Sequence, residues 1–244
     1  MQARGRIALV TGAARRVGKS IALALAARGA HVAITYHRSH VEAQQTLREI
    51  EAREVRGMAV QGDITRAVDV NATVQQVIER FGRIDILVNN ASNYYKTPFA
   101  TLTEEQWDDL VDTNLKGTFL MAKRVGDEML KAHGGKIINL ADWAGFRPYK
   151  DYLPYCVAKA GVIALTKALA KTLAPNIQVN AVAPGPVMLP EDFTDTERDA
   201  IIRATPLKRI GSPADIAQAV VFLVEGSDFI TGTTIVVDGG RLIA

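Results

Sequence analysis

Ile7-Ala8-Leu9-Val10-Thr11-Gly12-Ala13-Ala14-Arg15-Arg16-Val17-Gly18, followed at once by the Ala- and Leu-rich run Lys19–Arg28, joins a strand-like segment to a helical one through one glycine-bearing turn. Such a turn lets backbone N–H groups and the positive end of the helix approach a pyrophosphate. Glycine spacing alone is weak evidence. The context strengthens it, because a first strand, a short turn, a long helix and a second strand follow in the expected order.

That second strand, His31–Tyr36, runs into Tyr36-His37-Arg38-Ser39. Dinucleotide folds that take NAD place an acid about 20 residues beyond the glycines, to hold the ribose 2′-hydroxyl. Here the position is basic, and Arg15 and Arg16 lie close by in sequence. Guanidinium groups grip a phosphate in bidentate fashion, so this pattern points to NADP(H) rather than NAD(H).

Further along, short apolar, β-branched runs recur at Gly57–Gln61, Ile84–Val88, Lys136–Leu140, Gln178–Val182 and Thr233–Val237. Between them lie stretches with helical spacing at Val41–Arg53, Val68–Phe81, Glu104–Lys131, Ala158–Leu173 and Pro213–Leu223. Alternation of this kind predicts an α/β chain with parallel strands joined by helical crossovers and helices on both faces of the sheet. No linker interrupts it, so residues 1–244 are expected to form a single domain. Residues 184–206 carry four prolines and no clear periodicity, which predicts a long substrate loop.

Composition narrows the function. Of 244 residues 48% are hydrophobic and 23% charged, and a net charge of +3 is too small and too scattered for a nucleic-acid footprint. Cys156 is alone, which excludes an internal disulfide framework. No apolar run of the ~18–20 residues a membrane span needs is expected, nor a signal peptide before the first strand. A cytoplasmic protein with no membrane or nucleic-acid partner is expected. His31, His37, His40 and His133 lack ligand spacing, so no metal site is expected. Aromatic residues cluster: Tyr94, Tyr95 and Phe99 in one window, Trp143, Phe146, Tyr149, Tyr152 and Tyr155 in another.

Tyr155 and Lys159 are four residues apart on a predicted helix and share one face. A phenol with a pKa near 10 moves protons sluggishly at neutral pH unless positive charge favours the phenolate, and the lysine supplies that charge. With this pair, Thr11–Gly18, Asn89-Asn90-Ala91, Asn114, Pro184-Gly185 and Val237-Asp238-Gly239-Gly240 stand in the order and spacing of the short-chain dehydrogenase/reductase family, which the chain resembles over essentially its whole length. The resemblance implies a Rossmann-like, doubly wound fold with a seven-stranded parallel sheet. It implies Tyr155 as catalytic acid/base, Lys159 as the group that lowers its pKa and holds the nicotinamide ribose, and Asn114 as anchor of a water-linked proton path at a helix break. The implied cofactor surface runs over Gly12, Arg15, Arg16, Val17, Gly18, Tyr36, His37, Arg38, Ser39, Asp63, Ile64, Asn90, Ala91, Ser92, Tyr155, Lys159, Pro184 and Gly185, with Asp63 at the adenine.

Two positions depart from the family pattern. Arg16 replaces its usual glycine, and Asp142 replaces the serine thirteen residues before the tyrosine. A carboxylate accepts hydrogen bonds but donates none unless protonated. Both departures occur in the pteridine reductase branch, which this chain also resembles at His37-Arg38-Ser39 and at Asn90-Ala91-Ser92-Asn93-Tyr94. That likeness implies reduction of a dihydropterin or dihydrofolate-like substrate, with Tyr94 stacking on the pterin, Arg16 and Ser92 on its polar atoms, and Asp142 with Tyr155 delivering the proton. The alternative is a 3-oxoacyl-thioester or other carbonyl reductase; a non-catalytic NADP(H)-binding protein is the remaining class. The family also implies a homotetramer with twofold axes, paired through the long helices 104–131 and 158–173.

Overall fold

A computed structural model of the chain describes residues 1–189 and 193–244. Seven strands, β1 (Ile7–Val10), β2 (His31–Tyr36), β3 (Gly57–Gln61), β4 (Ile86–Asn89), β5 (Gly135–Leu140), β6 (Ile177–Pro184) and β7 (Thr234–Val237), form one parallel sheet in the order β3-β2-β1-β4-β5-β6-β7. Strands covered on both faces must be apolar on both faces, and all four residues of β1 are buried. Successive side chains point opposite ways. Ala8 and Val10 therefore pack with α1 (Arg16–Ala27), α2 (His40–Glu51) and α8 (Pro213–Glu225), while Ile7 and Leu9 pack with α3 (Ala67–Phe81), α5 (Gly117–Ala132) and α6 (Leu153–Leu173).

The strand order reverses between β1 and β4, and the crevice beyond their carboxyl ends is where an open parallel sheet takes its ligands. The glycine turn after β1 and the Asn90–Tyr94 segment after β4 flank that crevice.

Three expectations need correction. The stretch 104–131 is not one regular helix: α4 (Glu104–Val111) passes into α5 through a π-helical turn, Asp112–Lys116, which holds Asn114. The helix expected from Ala158 begins at Leu153, since Pro154 in its first turn has no N–H to leave unpaired. Residues 184–206 are not all loop. Thr194 accepts from the Glu197 N–H at 3.2 Å and Glu197 accepts from the Thr194 N–H at 2.8 Å, a reciprocal cap that starts α7 (Asp195–Ala204). Residues 190–192 of that stretch lie outside the described residues.

Contrary to the expectation of no membrane-length apolar run, α6 is long and apolar enough to cross a membrane. Half of its most apolar window is buried inside the fold, with Tyr155 and Lys159 among its buried residues, so the same composition serves a core helix.

Candidate active site

The phosphate turn is held by its own backbone. Gly12 has φ +61°, and a Cβ there would stand 2.7 Å from Ala91 Cα. A Cβ on Gly18 would stand 2.4 Å from Asn90 Nδ2. Asn90 uses that nitrogen to donate to Thr11 O at 2.9 Å and Gly12 O at 3.1 Å, and Thr11 Oγ1 accepts from the Asn90 and Ala91 N–H groups at 2.9 and 3.0 Å. Four hydrogen bonds thus lock the ends of β1 and β4 together. Arg16 has φ +56°, in the left-handed region, which explains why glycine is usual there; an L-residue costs roughly 1–2 kcal/mol in that conformation. Its guanidinium donates to Met188 O at 3.4 Å. Among the described residues no side chain caps α1 and its first turn holds no acid, so its N–H groups and positive dipole end are left for an anion in the crevice.

All but one of the predicted site residues line a single cleft of about 1250 Å³. Arg15, Arg16, Arg38 and His37 stand exposed along one part of its wall. Asp63 lies beside them, its Oδ1 accepting from the Thr65 N–H at 2.9 Å and hydroxyl at 2.8 Å. Val17, Gly18, Tyr36, Ser39, Ile64, Ala91, Ser92, Pro184 and Gly185 complete the expected surface. Asn114 is the exception. It sits behind the wall in the π-helical turn, where its Oδ1 accepts from Ser92 Oγ at 2.6 Å and its Nδ2 donates to Asn93 Oδ1 at 2.7 Å and Leu110 O at 2.9 Å.

At the other end β5 delivers Asp142 and the first two turns of α6 deliver Tyr155 and Lys159. Tyr155 donates to Asp142 Oδ2 at 2.9 Å, and Lys159 Nζ donates to Leu140 O at 2.9 Å and lies 5.6 Å from the Tyr155 ring centre. Asp142 opens partly onto the cleft, but its carboxyl is ringed by protein. Burial pushes its pKa up, against hydrogen bonds from Ala144, Tyr155 and Tyr149 and the charge of Lys159. Burial pushes the Lys159 ammonium down to about 8. The expected lowering of Tyr155 by Lys159 is not what this geometry gives: burial first, then the neighbouring Asp142 charge, holds the Tyr155 phenol well above its ordinary value. Asp142, in the serine position, adds to the effect of burial rather than opposing it.

Tyr94 meets Tyr155 edge-on at 4.9 Å and stacks on Tyr152 at 4.5 Å. Sequence reasoning missed Tyr149 and Tyr152 as site residues. Tyr149 donates to Asp142 Oδ1 at 3.0 Å. The aromatic window 143–155 was the available signal, but which rings turn inward depends on the course of the loop.

An open parallel sheet with an anion-binding turn at its switch point, and a buried Tyr/Lys pair across the cleft, defines a dinucleotide-dependent oxidoreductase. The chain belongs to the short-chain dehydrogenase/reductase family: the family described as enoyl-(acyl carrier protein) reductase matches residues 12–241. It is 41% identical over 237 residues to a 3-oxoacyl-[acyl-carrier-protein] reductase FabG of Staphylococcus epidermidis, covering 96% of this chain and 97% of that one. A 3-oxoacyl-[acyl-carrier-protein] reductase of Synechocystis sp. is 40% identical over 242 residues, covering 98% and 97%. Among solved structures, an acetoin dehydrogenase from Enterobacter cloacae superposes with a TM-score of 0.90 at 33% identity, covering 100% of this chain and 97% of that one. A variant of actinorhodin polyketide ketoreductase with NADPH gives 0.93 at 33% identity, covering 98% of each. The relatives' names fit the carbonyl alternative better than the pteridine reductase branch.

Proposed function

We propose that the chain is an NADPH-dependent reductase in which Tyr155, Asp142 and Lys159 form the proton-handling unit and the substrate is a flat, nitrogen-rich ring of the dihydropterin type. The observation that carries the substrate class is Asp142. It stands where the family's carbonyl reductases use a serine donor, and it accepts from two tyrosines. A ring nitrogen that gains a proton as its neighbouring carbon gains hydride needs an acid poised beside it. Burial favours the neutral form of Asp142, which is the form that can donate.

The α1 N-terminus with Arg15, Arg16 and Arg38 would hold the phosphates, and Lys159 with Tyr155 the nicotinamide ribose. NADPH, when bound, supplies the hydride. Tyr155 would give its proton to the substrate and recover one through Asp142; Ser92, Arg16 and Tyr94 would orient the ring. Asn114 would steady Ser92 from behind.

The second reading, reduction of a 3-oxoacyl thioester, is favoured by the 41% identity to a reductase of that name. Identity over the whole chain fixes the fold, whereas substrate choice lies with a few side chains in the cleft. The test is NADPH oxidation with dihydrobiopterin and, separately, with an acetoacetyl thioester. Turnover of the pterin is expected; turnover of the thioester alone would overturn this reading in favour of the second. A cytoplasmic homotetramer goes with either reading. Exposed Trp107, Phe119 and Val157 on α4, α5 and α6 supply apolar surface for pairing, which sedimentation of the purified protein checks.

A further inference from the structure

The Asp142 carboxyl takes its hydrogen bonds unevenly. Oδ1 accepts from the Ala144 N–H at 2.8 Å and from the Tyr149 hydroxyl at 3.0 Å, whereas Oδ2 accepts from Tyr155 at 2.9 Å. Each carboxylate oxygen has about two lone-pair sites. Oδ1 is therefore full, and the Ala144 N–H can neither turn round nor give up its proton. Oδ2 keeps one site, on the oxygen that meets Tyr155.

We propose that Tyr149 is a positioning residue that, with the Ala144 N–H, fills Oδ1 so that Asp142 exchanges its proton through Oδ2 alone, directly with Tyr155. The inference rests on reading Asp142 and Tyr155 as the proton-delivering pair. In each turnover the Tyr155 O–H bond breaks toward the substrate nitrogen and re-forms with the proton from Oδ2. The Asp142 carboxylate then takes a proton from solvent at the remaining Oδ2 site, so each turnover consumes one hydride and one solvent proton.

Tyr149 is built for a fixed role. Its ring meets Trp143 at 5.3 Å and 60° and Tyr152 at 5.9 Å and 80°, and its backbone N–H donates to Cys156 Sγ at 3.3 Å. The hydroxyl is thus aimed from a ring braced on two sides. The groups facing Asp142 are Tyr155, Lys159 and Cys156 from α6, Tyr94 from the segment after β4, and Tyr149 from its own loop. Of these only Lys159 carries positive charge. A hydroxyl donated to Oδ1 stabilises the ionised carboxyl, and so opposes burial.

The test is a pH titration of the aspartate carboxyl carbons by 13C NMR in the whole protein, with Asp142→Asn assigning the Asp142 signal. In Tyr149→Phe, which keeps the ring and deletes the hydroxyl, Asp142 is expected to hold its proton to a pH higher by about one to two units, the size of a lost hydrogen bond to a charged group. Incorporating 3-fluorotyrosine at position 149 gives a stronger donor and the opposite shift, which keeps the test alive if Tyr149→Phe folds poorly. An Asp142 titration unmoved by both changes overturns the proposal, as does a pH–rate limb that stays fixed while kcat falls. Because the titration needs no substrate, it still decides the role of Tyr149 if neither dihydrobiopterin nor thioester is turned over, an outcome that would count against the proposed function alone.

Discussion

Tyr94 lies flat on Tyr152, ring centres 4.5 Å apart and planes 9° from parallel, while its edge meets Tyr155 at 4.9 Å. Tyr94 remains 41% exposed, so the stack keeps an open side toward the cleft. Aromatic pairs of this kind contribute about 0.5–1.5 kcal/mol beyond their buried area. Tyr94→Ala should therefore raise KM for a flat heteroaromatic substrate by roughly 2- to 12-fold. Affinity for NADPH and KM for a short aliphatic thioester should stay unchanged. Steady-state kinetics with both substrates, and titration of the cofactor, check this.

Tyr155→Phe should abolish turnover while leaving NADPH affinity within a few-fold of the parent. The ring stays in place against Lys159, and only the hydroxyl that meets Asp142 is lost. Unchanged turnover would refute the role proposed for this residue. Fluorescence titration of NADPH separates loss of chemistry from loss of binding.

Arg38 stands exposed on the cleft wall beyond Tyr36, where a 2′-phosphate would lie beside Arg15. A charge-assisted hydrogen bond is worth roughly 1.5–3 kcal/mol, so Arg38→Ala should weaken NADPH binding by about 10- to 100-fold. NADH, which has no such phosphate, should bind as before. Equal losses for the two cofactors, measured by calorimetry, would show that Arg38 does not read the phosphate.

Much of this site is legible in the sequence because its parts are local. The turn Thr11–Gly18 announces itself by glycines at positions that tolerate no Cβ, and the strands by apolar runs buried on both faces. Tyr155 and Lys159 need only one helix to meet. What escapes the sequence is whatever another element decides. The periodicity of 104–131 does not reveal the extra residue in the π-helical turn at Asp112–Lys116. Helix α7 has no buried residue, so it has no apolar stripe to read, and its one signal is the Thr194/Glu197 cap. Tyr149 reaches Asp142 because the intervening loop folds back, a matter of tertiary packing. The upward pull on Tyr155 likewise follows from where Asp142 comes to rest.

Lys159 gives a stability prediction with a definite sign. Burial holds its folded pKa near 8, with the Asp142 charge working the other way, against about 10.4 for a free lysine. Below pH 8 both folded and unfolded chains carry the proton, and the cost of the buried ammonium is present in full. Between about pH 8 and 10.4 the unfolded chain keeps a proton that the native chain has released, so this group's contribution to stability rises with pH. Lys159→Met removes the ammonium at every pH, together with its hydrogen bond to Leu140 O. That hydrogen-bond loss is nearly constant with pH, and titrations remote from the site are shared by both proteins. Loss of the Lys159 charge also lets the pKa of the Asp142 carboxyl move further up, which lowers the variant's relative stability with rising pH in the same direction. The stability of Lys159→Met relative to the parent should therefore fall by about 3 kcal/mol between pH 7 and pH 10.4. Urea denaturation of both proteins at the two pH values measures it, and a difference that stays constant would show that the Lys159 ammonium carries no burial cost.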